Sequence, residues 1–93
     1  MKPHANRTTD DRLFIICARH KIGQDWAARY GLPVGSFKTI TQAYSLRGMN
    51  RAARIVWLAS RVIHPDAPII ERELKRRFTN VQYLDENGSP YTA

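Results

Sequence analysis

Apolar residues form two unbroken runs, Leu13-Phe14-Ile15-Ile16-Cys17-Ala18 and Ile55-Val56-Trp57-Leu58-Ala59. Each leads toward a segment where they recur at helical spacing. A strand covered on both faces reads as a near-continuous apolar run, as in a parallel sheet flanked by helices. Strands are therefore predicted over 13–18 and 54–59. After the first, Arg19-His20-Lys21-Ile22-Gly23 reads as a polar turn and 24–30 as a helix. Ile22, Trp26 and Tyr30 fall four apart, on one face. Gly31 is placed to end that helix in a left-handed conformation, and Pro33 and Gly35 punctuate a loop.

Phe37, Thr39, Ile40 and Thr41 favour a short strand over 36–41. Residues 42–46 fit a single helical turn, and Gly48 and Asn50 mark a loop. Asp66 is a candidate N-cap for a helix over 67–78, with Pro68 in its first turn. Ile70, Leu74 and Phe78 form its apolar stripe, and Glu71/Lys75 and Glu73/Arg77 are i,i+4 pairs on its wet side. Residues 81–84 complete a fourth strand.

The resulting order is strand, helix, strand, strand, helix, strand. Strand–helix–strand crossovers are right-handed in nearly all cases. The simplest arrangement is a small α/β domain with a four-stranded, mainly parallel sheet of order 2-1-3-4. Helices would cover both faces, a Rossmann-like half-domain without a phosphate-binding loop. The chain is expected to comprise a flexible arm (1–11), one domain (12–84) and a polar tail (85–93). With 93 residues it supports a modest core, burying roughly 60–65% of its unfolded surface.

Charge changes the picture more than composition does. The formal net charge is +7, and from Arg12 to Arg61 nine Lys or Arg residues stand against a single acid, Asp25. A basic middle suits nucleic acid, an acidic protein partner, or solubility alone. No apolar run approaches the roughly 20 residues of a membrane span. The polar first residues lack the apolar stretch of a secretory signal. The lone Cys17 forms no internal disulfide, which fits a reducing cytoplasm.

In an open parallel sheet, ligands bind at the carboxyl ends of the strands where the chain order reverses. The loops there would carry Arg19, His20, Lys21, Arg61 and His64, with Arg47 and Arg51 nearby. These residues are candidates for binding an anion, whether phosphate, nucleotide or a partner carboxylate. Enzymatic chemistry is not expected. Neither G-x-x-x-x-G-K-[ST] nor G-x-G-x-x-G is present. His4, His20 and His64 lack metal-ligand spacing, and nothing marks a nucleophile with its base. No cofactor and no metal are expected.

Residues 24–44 admit a different reading, a helix-turn-helix. Ala27, Gly31, Leu32, Phe37 and Ile40 match its spacing. A second helix over 36–44 would present Lys38, Thr39 and Gln42 to base edges and Arg47 to phosphate. Pro33, Gly35 and the strand-forming residues that follow weigh against it.

Tyr44-Ser45-Leu46-Arg47-Gly48-Met49, then Arg54-Ile55-Val56-Trp57-Leu58, then Pro65-Asp66 before a helix, resemble small accessory proteins of actinobacterial phages. Ala27-Ala28-Arg29-Tyr30-Gly31 fits the same pattern, which spans roughly residues 13–80. The resemblance implies a protein that acts on a host protein during infection. With the missing catalytic motifs and the lone cysteine, the expectation is a non-enzymatic protein in the cytoplasm of the infected cell. Host takeover, growth inhibition and superinfection exclusion are its expected outcomes. The expected contact surface is Arg19, Lys21, Arg47, Arg51 and Arg61, with Trp26 or Tyr30 contributing if exposed. Gly48 is expected to permit a positive-φ turn, and Arg47 to pin that loop.

Overall fold

The computed structural model describes residues 12–58 and 64–84. Four strands, β1 (Leu13–Ile16), β2 (Phe37–Ile40), β3 (Ile55–Leu58) and β4 (Val81–Leu84), pair in the order β2-β1-β3-β4. Every pairing is parallel, with Ile15 beside Thr39 and Val56, and Trp57 beside Tyr83. This is the α/β sheet that the apolar runs predict. The expected arm (1–11), the tail (85–93) and residues 59–63, Arg61 among them, lie outside the described residues.

Side chains alternate between the faces of a strand, and here both faces are apolar. Phe14, Ile16, Ile55 and Trp57 pack with Ile70 and Leu74 of helix α2 (Ala67–Arg77) and with Phe78 just beyond its end. Ile15, Cys17, Val56 and Leu58 belong to the opposite cluster with Ala27 of helix α1 (His20–Arg29), against which Ile22 and Trp26 lean. Double coverage is why β1 and β3 read as unbroken apolar runs, whereas β2 and β4, at the edges, mix polar and apolar residues.

Helix α1 begins at His20, not at residue 24, so 19–23 is not a turn. Gly23 suggested one, yet it serves close packing inside the helix. A Cβ built on it would lie 2.7 Å from Thr39 Cγ2, 2.9 Å from Cys17 Sγ and 3.2 Å from Ile15 Cγ2. Thr39 is branched and its hydroxyl is held by His20, so it cannot yield cheaply. Gly23→Ala is therefore expected to destabilise by up to about 2 kcal/mol, overpacking of about 1–3 outweighing a helix-propensity gain of about 1. A urea midpoint at or above that of the parent would refute this.

The helix ends as expected. Gly31 has φ +69°, its N–H donates to Ala28 O at 3.1 Å, and Leu32 N–H donates to Ala27 O at 3.0 Å. These are the paired bonds of a Schellman termination. Gly48, at φ +78°, makes the expected positive-φ turn. The second helix of a helix-turn-helix is absent: 36–44 contains β2 and the start of a 3-10 turn, Ala43–Leu46. Phe37, Thr39 and Ile40 decided this, being better strand than helix formers.

At the start of α2, Asp66 occupies the cap position but makes no side-chain capping bond. Its φ of −100° and ψ of 16° are those of the third residue of a turn, closed by Ala67 N–H donating to His64 O at 3.0 Å. The cap is supplied from His64, whose Nδ1 accepts the Asp66 N–H at 2.9 Å. Glu73 pairs with Arg77 (3.3 Å) as expected and also with Arg76 (3.5 Å). Glu71 turns inward and accepts from Trp57 Nε1 at 2.8 Å.

Candidate functional site

Among the described residues, Arg51 stands apart from the expected cation cluster and His64 is turned inward. Arg19 caps the start of α1 and is exposed, its side chain making no capping bond. Lys21 pairs with Asp25 at 3.5 Å on the open surface of α1, a contact of little energetic weight. Arg51 stands at the opposite rim: its carbonyl accepts from Thr79 N–H at 3.1 Å, where the chain enters β4. The loop before β3 carries it there, so it cannot join residues at the carboxyl ends. His64 is buried. Nδ1 accepts from Asp66, so the ring proton sits on Nε2, which donates to the Thr41 carbonyl. Two backbone groups thus occupy both nitrogens, leaving neither to meet an anion. His64 is a structural tie.

The fold brings together a different set. His20 Nδ1 shares a hydrogen bond with Thr39 Oγ1, linking the first turn of α1 to β2. His20, Lys38, Thr39 and Gln42 line one depression of about 310 Å³, completed by Tyr44 and Ser45 of the 3-10 turn. One member of the expected anion set and three of the expected base-reading set therefore share a wall. Their convergence follows from strand pairing and the packing of α1, not from a recognition helix.

Arg47 lines a second groove, of about 640 Å³, between the 3-10 turn and α2. Its other walls include Ala43, Tyr44, Ile69, Arg76 and the carboxylates of Asp66 and Glu73. Tyr44 belongs to both depressions and is 65% exposed, while Ile69 is 46% exposed. Tyr30 is exposed as well and leans on Trp26 with ring centroids 5.0 Å apart, on α1.

Neither Tyr44 nor Ile69 was among the residues expected at a contact surface. Ile69 had a signal: it falls one position off the stripe Ile70, Leu74, Phe78, so the wet face of α2 carries an apolar side chain. Tyr44 had none, because a single helical turn has no periodicity to violate.

Cys17 is buried and its thiol is pushed up from the ordinary 9.0, by burial first, with backbone bonds from Gly23 and Arg19 opposing. It is a packing residue, not a ready thiolate. Among the described residues no group of three or more His, Cys, Asp or Glu could hold a metal ion, and no helix is long and apolar enough to cross a membrane.

Tyr83 is pushed above its usual 10.0 by burial and then by the neighbouring Glu71 charge. A folded-state value above the unfolded one contributes stability that is complete below pH 10.0 and is lost as the pH rises through the raised value. Glu71→Gln keeps an acceptor for Trp57 while removing the charge. It should move the Tyr83 titration back toward 10.0, read as the alkaline absorbance difference between parent and Tyr83→Phe. An unmoved titration would leave burial as the whole cause.

Comparison with protein-family models, curated proteins and solved structures finds no match.

Proposed function

We propose that the chain is a non-enzymatic, phage-type accessory protein that docks on a host protein through the face around Tyr44. The observation that carries this reading is the exposure of Tyr44 and Ile69 on the walls of a groove that also presents Arg47. Among the described residues the Arg47 side chain has no ion-pair partner, whereas Arg76 and Arg77 share Glu73. Aromatic and arginine side chains carry a disproportionate share of interface energy, and their desolvation beside an apolar wall is what makes them do so. The excess positive charge favours an acidic partner and speeds its approach.

The test is crosslinking capture from cells in which the gene is naturally expressed, with the parent, Tyr44→Ala and Arg47→Glu in parallel. A specific protein recovered with the parent, and reduced about tenfold or more by either substitution, is expected from the loss of one central contact. Equal recovery with all three refutes docking at this face. Duplex DNA, titrated at low and high salt, separates the nucleic-acid alternative. A steep loss of affinity with salt, reduced by Lys38→Ala, would favour DNA.

A further inference from the structure

Strand β2 forms one edge of the sheet, with β1 on its inner side. Leu13 N–H donates to Ser36 O at 3.0 Å and Cys17 N–H to Ile40 O at 2.9 Å. In a parallel pair, alternate residues of a strand turn their N–H and C=O toward the same neighbour. The main-chain groups of Lys38 and Ile40 therefore face β1, and those of Phe37 and Thr39 face outward. Among the described residues no main-chain bond reaches Phe37 or Thr39 from outside the sheet. The 310 Å³ depression runs along this edge, lined in succession by Lys38, Thr39, Ile40 and Thr41, with Tyr44 and Met49 on its wall.

We infer that β2 accepts an extended, acidic polypeptide segment of the partner as a fifth strand. This rests on the proposed docking function and names the part of the partner that is recognised. The outward pairs at Phe37 and Thr39 ask for donors and acceptors repeating at strand spacing, which an extended backbone offers and a helix or nucleic acid does not. Side chains on the near face of the added strand would meet Lys38, Tyr44 and Met49. A carboxylate next to an apolar side chain complements them. A second copy of this chain is the poorer occupant, since each carries a net charge of +7 and brings Lys38 to the same edge.

Amide hydrogen exchange and NMR titration of the intact protein test this. The probe is a short peptide of alternating Glu and Val. Controls are its Lys-for-Glu counterpart and a version N-methylated at alternate amides. In the free protein the Thr39 amide should exchange at least about tenfold faster than those of Lys38 and Ile40, as expected of an unpaired edge group. The acidic peptide should slow it, and both controls should fail to do so. Thr39→Pro removes an outward N–H that β1 does not use and should abolish binding.

Equal binding of the N-methylated peptide overturns the inference. So do competition by inorganic phosphate, which would mark an anion site, and self-association that protects the Thr39 amide. If Thr39→Pro does not fold, the exchange rates and the N-methylated peptide still decide. Partner capture that survives Thr39→Pro but not Tyr44→Ala would remove the added strand and leave the docking face standing. Capture that is indifferent to Tyr44 and Arg47 would remove the docking face itself.

Discussion

Trp57→Ala should cost about 3–5 kcal/mol, the range for deleting a large buried aromatic side chain. A domain of this size has a total stability on the order of 5–15 kcal/mol, so the variant would be close to unfolding. Trp57 is 1% exposed in a central strand, registered beside Ile16 on one side and Tyr83 on the other. Its ring fills the space between the sheet and α2, where Ile70 and Leu74 are fully buried. Its Nε1–H also holds Glu71. Alanine would leave a cavity at the centre of this layer and remove a donor from a carboxylate that burial has partly stripped of water. The urea midpoint should fall by about 1–3 M for an ordinary denaturant slope. Trp57→Phe narrows the causes: most of the volume stays, while the N–H and a small part of the ring are lost, at about 1–2 kcal/mol. An alanine variant that unfolds within about 0.3 M of the parent would show that this layer does not position α2.

The same layer explains what the sequence could and could not disclose. Burial on both faces leaves a direct trace, because β1 and β3 have no solvent side on which to place polar residues. The strand order followed from that trace and from crossover geometry. The start of α1 left no such trace. Arg19, His20 and Lys21 are polar because one side of the first turn is exposed, and Gly23 looks like a turn residue for a reason that lies in another strand. Its missing side chain makes room for Thr39, sixteen positions further on. Arg51 was misplaced for a similar reason. Counting residues from the 3-10 turn does not reveal which rim of the sheet the loop reaches, and only the contact with Thr79 settles it. The candidate site has the same character. Lys38 and Thr39 were singled out as members of a helix, and His20 as a member of a cation cluster. Strand pairing and the packing of α1 make them neighbours.

That coupling between scaffold and site is sharpest at His64, where a second large effect is expected. His64→Ala should cost about 2–4 kcal/mol, combining a buried ring with two hydrogen bonds to backbone. The ring centroid lies 6.1 Å from that of Trp57, and its nitrogens join two parts of the chain that are not adjacent in sequence. Nδ1 holds the turn that starts α2. Nε2 holds the carbonyl of Thr41, from which the chain passes directly into the 3-10 turn bearing Tyr44. Two partial replacements divide these roles. Asparagine can place its oxygen near the Nδ1 position and keep the Asp66 bond. Glutamine can carry its amide toward the Nε2 position and keep the tie to Thr41. If the tie positions Tyr44, His64→Asn should show faster amide exchange through Ala43–Leu46 and weaker partner capture, with α2 still protected. His64→Gln should show the reverse, fraying the first turn of α2 while leaving the Tyr44 face in place. An alanine variant within about 0.5 kcal/mol of the parent would contradict the structural role, because a buried ring and two backbone hydrogen bonds are not lost so cheaply. Unchanged capture by a folded His64→Asn would separate the docking face from the tie and place its rigidity in the packing of Leu46 alone.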